Sequence, residues 1–416
     1  LAILNSPRVV QTSVVESTLK RDVDDSLVRL EPDAAPLYVL TNNKKRTAGA
    51  SSPRFEWFED AEAPLWGQVS NTAAYSSAAT TIVVVDGTIF AVDDLILVPV
   101  GIGAGLSAAE EVMLVSANSG GSGATLTVVR GIGGVGANTI AATASLRILG
   151  QACTEGSGVP TLRTTLKVPH ISYCQLFKTP VVVSEHEQAT EVYAAPQGER
   201  RYQQAVALVR HRSEIEAAGL WGRGSETLAG GTEPSGGLGA ITGASRWTTQ
   251  GVKPTIQTYI TDASTTLTYT AMLQFGEGGF RYGEKSKLCM AGPHVLSAFD
   301  YFSANKLLTN VLADVFGVQI KKIVTNHGTY LIANNFRMEA GIAGAAGFNG
   351  EFYLIDLPSV IFRYLNGNGK SMNTRLYEDI VKDGSDKTVD EFKSIVGWEV
   401  KFEKKHARMF NVSAFA

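Results

Sequence analysis

Cysteine is scarce in this chain. Cys153, Cys174 and Cys289 are far apart, odd in number and form no CxxC pair, so neither a disulfide framework nor a cysteine zinc site is supported. A reducing compartment is expected. Long apolar runs are missing as well. None approaches the roughly 18 residues of a membrane span, and no basic stretch precedes an apolar one in the opening Leu-Ala-Ile-Leu-Asn-Ser-Pro-Arg, so neither membrane insertion nor secretion is expected. A basic excess is also absent. The 37 Lys+Arg against 40 Asp+Glu leave a formal charge of -3, which supplies no overall field to hold nucleic acid by counterion release.

What is present is a chain able to build a core. Its 416 residues predict two to three compact units at about 150 residues per domain. Hydrophobic residues make up 44% and charged residues 19%, a balance that excludes a disordered chain. Glycine is the excess: 42 residues, about 10% against a usual share of roughly 7%, predict many turns and a β-rich, loop-rich structure.

Near the start, Leu19, Val23, Leu27 and Leu30 stand four, four and three apart among charged residues, the spacing of one apolar stripe on a short helix. Pro32 and Pro36 are read as stopping it, and Asn42 to Ser52 as turn-rich. Such a segment buries little by itself and reads as an arm that docks on something else; the alternative is a first helix packed on its own domain. Phe55 to Asp60 alternates large apolar and acidic residues, as a half-buried strand does.

From Asn71 to Thr154 the only charged residues are Asp86, Asp93, Asp94, Glu110, Glu111, Arg130 and Arg147, and no lysine occurs from Thr47 to Leu166. Short β-branched segments at Thr80–Val85, Leu95–Val100, Glu111–Val115, Thr125–Val129 and Ser145–Leu149 alternate there with glycine-rich turns. They predict a small barrel or sandwich inserted in a host loop. Beyond it, Gln197 to Leu220 has the pattern of a long helix, and Gly222 to Gly239 that of a flexible connection.

The remainder reads as an α+β body. Strands are expected at Lys287–Ala291, Tyr353–Leu357, Val360–Tyr364 and Ser394–Lys405, a helix or two over Pro293–Leu312, and a hairpin around Asn326-His327-Gly328.

Few segments suggest chemistry. Gly131-Ile132-Gly133-Gly134-Val135-Gly136 matches GxGxxG, but no crossover helix follows, so a glycine-rich hairpin is the reading over a nucleotide site. His186-Glu187 opens like HExxH and lacks the second histidine. The six histidines are scattered, and no GxSxG elbow occurs. No catalytic, cofactor-binding or metal-binding residues are therefore expected, and no cofactor. Arg200, Arg201, Arg210, Arg212 and Arg223 interleave with Glu199, Glu214, Glu216 and Glu226, which favours a salt-bridged helix or subunit interface over a nucleic-acid groove.

Several segments, in their order, resemble the major capsid proteins of tailed bacteriophages, the family with the Hong Kong 97 capsid fold. They are Leu30-Glu31-Pro32-Asp33-Ala34-Ala35-Pro36-Leu37 with Phe55-Glu56-Trp57; Leu176 to Ser184; Arg212-Ser213-Glu214-Ile215-Glu216-Ala217-Ala218-Gly219-Leu220-Trp221-Gly222; and Gly397-Trp398-Glu399-Val400-Lys401-Phe402 to Ala407. The resemblance implies an arm over 1–46, an extended loop with its first strand at 47–70 and its return strand at 155–175, and the β insertion at 71–154 between them. It further implies a peripheral domain with a spine helix over 176–235, an axial domain over 236–385, and closing strands of the peripheral domain over 386–416. Leu19, Val23, Leu27, Leu30, Trp57, Arg212, Trp398 and Glu399 are the candidate assembly residues. Some relatives crosslink subunits through a loop lysine, and this loop has none between Thr47 and Leu166.

The function implied is a structural subunit that self-assembles as hexamers and pentamers into an icosahedral virion shell around double-stranded DNA, put together in the host cytoplasm. Portal, scaffold and decoration proteins are its implied further partners, with no sequence-specific DNA contact and no membrane. The alternatives are another virion protein (tail, fibre or decoration), an encapsulating shell protein, and a hydrolase or transferase with a β accessory domain, which would need a convergent polar site.

Overall fold

The computed structural model describes residues 35–43, 46–100, 110–160, 164–190, 198–226, 246–306, 309–315, 318–335, 337–339, 341, 347–367, 369–381, 384 and 386–415. The chain divides into two compact units, Phe58–Pro169 and Leu1–Trp57 with His170–Ala416.

The smaller unit is a six-stranded antiparallel sheet in the order Trp66–Gln68, Ser145–Gln151, Asp94–Val98, Glu111–Asn118, Thr125–Val129, Thr81–Val83. Its two edges meet. Val69 bridges Val84, Ser70 N–H donates to Val83 O at 2.8 Å and Val85 N–H to Gln68 O at 2.9 Å, so the sheet closes on itself as a small barrel. Alternating side chains fill it: Ile96 and Val98, Met113 and Val115, Leu126 and Val128, Leu146 and Ile148 are all buried. One ion pair is buried with them. Arg130 Nε and Nη2 meet Glu111 Oε1 and Oε2 at 2.7 and 2.6 Å, and Glu111 also accepts from Asn138 N–H at 3.0 Å. A buried pair is tolerable only when so fully satisfied.

The unit is wider than residues 71–154. Trp66–Gln68 is too short to show alternation in the sequence, yet it pairs with Ser145–Gln151 and supplies one barrel edge. The GxGxxG segment is a loop past Thr125–Val129, with Gly131, Gly133 and Gly134 at φ 69°, 79° and 82°, and the next strand is Ser145–Gln151. Glycine is required there by the left-handed backbone.

Among its described residues the larger unit holds two large sheets, and Arg54–Glu59 pairs with Val168–Tyr173 as a separate two-stranded sheet. In the first, Thr47–Ala50, Val360–Gly367, Thr388–Val400 and Gln175–Val183 lie side by side, with Lys370–Ser371 and Arg375–Tyr377 added. The second runs Ile260–Leu267, Ala407–Phe415, Phe352–Ile355, Ser286–Ala291, Thr329–Asn334, Val318–Val324, Thr309–Val315. Its central strands are covered on both faces. Leu288 and Met290 join a core with Trp398, Phe362, Leu220 and Leu37, while Cys289 and Ala291 join a second core with Phe275, Val295 and Phe299. Hence the unbroken apolar run Leu288-Cys289-Met290-Ala291.

Several expectations need correction. Pro36 opens a helix, Pro36–Asn43, where the pattern predicts none; a ring with fixed φ suits the first helical position, and the earlier helix that it is read as stopping lies outside the described residues. Leu37 and Leu40 on it are buried, so this part of the 1–46 segment belongs to the body. Thr47–Ala50, inside the stretch read as turns, pairs parallel with Val360–Gly367. The helix Pro293–Lys306 stops before a strand, Thr309–Val315. The strand expected at Ser394–Lys405 runs Thr388–Val400 and ends before Phe402, whose φ of 53° turns the chain. The last strand, Ala407–Phe415, then enters the other sheet, so residues 386–416 close two sheets and not one. The hairpin at Asn326-His327-Gly328 joins Val318–Val324 to Thr329–Asn334 as expected.

Candidate functional site

The helix Glu199–Trp221 crosses the first sheet, and polar side chains hold it there at each level. At its N-terminal end Arg200 forks onto Asp390, Nε to Oδ2 and Nη2 to Oδ1 both at 2.7 Å, and Gln204 adds a donor at 2.8 Å. The Arg200 hydrogen bonds hold the Asp390 carboxyl below its ordinary range. Halfway along, buried His211 bridges the sheet, Nδ1 to Thr179 Oγ1 at 2.8 Å and Nε2 to Ser394 Oγ at 2.7 Å. Desolvation lowers its pKa. Ser394, His211 and Thr179 contain no acid and are all buried, an arrangement that ties helix to sheet and offers a substrate no access.

One turn further, Glu216 is buried and receives the start of the helix Pro36–Asn43. Tyr38 N–H donates to Oε2 at 3.3 Å and Asn335 Nδ2 to Oε1 at 2.7 Å. The carboxyl thereby sits at a helix N-terminus, where free N–H groups favour negative charge. Burial outweighs these bonds and pushes its pKa up to about 8. Next, Gly219 faces the ring of Trp398, and Trp398 Nε1 donates to Ile215 O at 3.2 Å.

The candidate residues are dispersed. Trp398 is buried with its ring 5.1 Å from Phe362, edge on. Glu399 is fully buried, held by Arg363 Nε and by Lys401 Nζ at 3.0 Å. Trp57 is half-buried, stacked 5.8 Å from His170 and 6.2 Å from Phe55. Arg212 is exposed on the helix. Leu19, Val23, Leu27 and Leu30 lie outside the described residues.

Two buried groups escaped sequence reading. Lys287 sits in an apolar strand and donates to Gly279 O, Tyr282 O and Lys405 O, each at 2.6 Å; burial lowers its pKa to about 8. A lysine heading the run Leu288–Ala291 was the available signal. His406 is also buried, accepting from Asp356 N–H at 3.2 Å and donating to Lys401 O at 3.1 Å, and burial lowers its pKa to about 4. His186, in contrast, is exposed, so the two histidines stand in different environments. Among the described residues no group of three or more His, Cys, Asp or Glu is placed to hold a metal ion, and no helix is long and apolar enough to cross a membrane.

Among solved structures, the capsid of cyanophage A-1(L) is similar at 10% identity and a TM-score of 0.49, covering 97% of this chain and 100% of that one. Mycobacterium phage Ogopogo gives 10% identity and 0.48, with 98% and 100% covered. The capsid of an empty GTA particle gives 7% and 0.47, with 97% and 100% covered. No curated protein sequence matches the chain. The family model of the SU10 major capsid protein matches residues 8–413. That match spans both compact units and the helices and strands described above, up to all but the last two residues of Ala407–Phe415, and it meets the expectation of a non-enzymatic virion protein. The chain accordingly belongs to the SU10 major capsid protein family, and its copies assemble with one another as the structural subunits of an icosahedral phage capsid.

Proposed function

We propose that the shell is built from hexamers and pentamers in a Hong Kong 97-type arrangement, with residues 1–34 as a docking arm and the barrel unit as an insertion displayed from the extended loop. The larger unit is the peripheral and axial body. The observation that carries this reading is the 23-residue helix locked on a sheet by Arg200 and His211, a rigid plate suited to repeated heterologous contacts. Leu19, Val23, Leu27 and Leu30 bury their stripe on a neighbouring subunit, so arm overlap contributes stability only on assembly. Trp57, Trp398 and Glu399 keep the body and loop in shape, and Arg212 is offered to a neighbour. A net charge of -3 suits a container that confines double-stranded DNA without gripping it. Portal, scaffold and decoration proteins complete the particle.

Deleting residues 1–34, short of buried Ala35 and of the helix that Pro36 opens, tests the arm. The expected result is a soluble body that forms no shells, or unstable ones, by electron microscopy. Normal shells of normal thermal stability would remove the arm from the assembly mechanism.

A further inference from the structure

A cleft of about 630 Å³ opens at the C-terminal end of the helix Glu199–Trp221, lined among others by Trp221, Arg223, Lys253, Ile256, Phe348 and Arg408. We infer that it receives the acidic segment 22–33 of the arm, an inference that rests on the docking-arm reading above.

Among the described residues the lining supplies cations and no carboxylate. Two acids bonded to lining residues are already engaged: Glu351 takes Lys253 Nζ at 2.8 Å and Tyr353 Oη–H at 2.6 Å, and Glu403 takes Gln257 N–H and Thr258 N–H at 2.9 and 3.0 Å. Arg223 is exposed and makes no ion pair with a described residue, while Arg408 Nε is buried without a hydrogen-bond partner. Aromatic rings stand beside the cations. Trp221 stacks on Phe348 with centroids 4.4 Å apart, and Lys253 Nζ lies 4.8 Å from the same ring. Such a site takes a peptide that is both acidic and apolar.

Residues 22–33 have that chemistry. Asp22, Asp24, Asp25, Glu31 and Asp33 stand against Arg29 alone, among Val23, Leu27, Val28 and Leu30. They also end in the right place. Ala35 is buried, and Tyr38 is bonded to Glu216, five residues before Trp221 on the same helix, or about 7.5 Å along its axis. An extended chain covers that distance in about two to three residues. The cleft of the same subunit is thus within reach, and a neighbour's is the same surface.

A photoreactive benzoylphenylalanine at Val23 of the full chain, with adducts mapped by mass spectrometry, tests the inference. Adducts on the peptides carrying Trp221, Ile256 or Phe348, within or between subunits, support it. Adducts confined to other parts of the body overturn the cleft and leave the arm reading standing; no adduct on the body overturns both. Arg223→Glu, with the fold checked by circular dichroism, lowers the cleft adduct at low salt by about twofold or more, and Asp24→Arg in the same chain restores it. An unchanged yield in Arg223→Glu overturns the charge pairing.

Discussion

Gly219 of the long helix and Trp398 of the closing strand occupy the same space: a Cβ on Gly219 would lie 2.5 Å from Trp398 Cε2 and 2.7 Å from Nε1. The indole packs edge on against Phe362 and donates to Ile215 O, one turn earlier on the same helix, which fixes its position. Glycine here is a packing requirement, since its helical backbone would otherwise favour alanine.

Gly219→Ala reverses the usual helix preference. An exposed helical site gains about 1 kcal/mol from that change, whereas here overpacking costs about 1–3 kcal/mol. Trp398→Ala costs about 3–5 kcal/mol through the cavity it leaves. Urea midpoints of the purified chain measure both, and a stabilised Gly219→Ala would refute the contact.

Rising pH weakens the seat of the helix Pro36–Asn43. The Glu216 carboxyl is raised from 4.5 to about 8 in the folded chain, so its contribution is full below the unfolded value and is lost as pH rises through about 8. Relative to Glu216→Gln, which keeps an acceptor and cannot ionise, the wild type loses stability between about pH 4.5 and about pH 8 at up to about 1.4 kcal/mol per pH unit and levels off above that. Thermal melts of both chains from pH 6 to 9.5 check this. Taking the difference removes the opposite trend from Lys287, whose lowered pKa makes folding more favourable as pH rises beyond about 8.

Acid acts at the other end of the same helix. Because Arg200 lowers the Asp390 pKa, that carboxylate stabilises the fold above its unfolded value of 3.8 and is lost as pH falls through its folded value. Asp390→Asn flattens the acid limb of the melting curve and lowers stability at pH 7; an unaltered acid limb would count against it.

His406→Ala leaves Asp356 N–H and Lys401 O without their partner and costs about 1–3 kcal/mol. His186→Ala, on an exposed helix, changes the melting temperature little. Equal effects would contradict the assigned environments.

Replacing residues 60–167 by a Gly/Ser linker leaves the larger unit folded, because both cuts fall beside the paired strands Arg54–Glu59 and Val168–Tyr173. Cutting at 71 and 154 instead strands Trp66–Gln68 without its partner and lowers solubility. Circular dichroism and solubility of the two deletions compare them.

Local pattern determined much of this protein. The low charge and β-branched runs between Asn71 and Thr154 announced the barrel strands, and the 3.6-residue pattern located the long helix to within two residues at its start. The capsid reading came from the order of segments around Arg212–Gly222 and Gly397–Ala407. What tertiary structure alone decided were the long-range contacts. Pro36 begins a helix because Glu216, 180 positions away, receives the amides that follow it. Glu399 looked like the polar side of an alternating strand and is buried because Arg363 and Lys401 neutralise it. Ala407–Phe415 leaves its predecessor's sheet because Phe402 turns the backbone and Phe352–Ile355 offers an open edge. Periodicity reports which side of an element is apolar; it holds no information on which distant group will satisfy a buried charge or pair an edge.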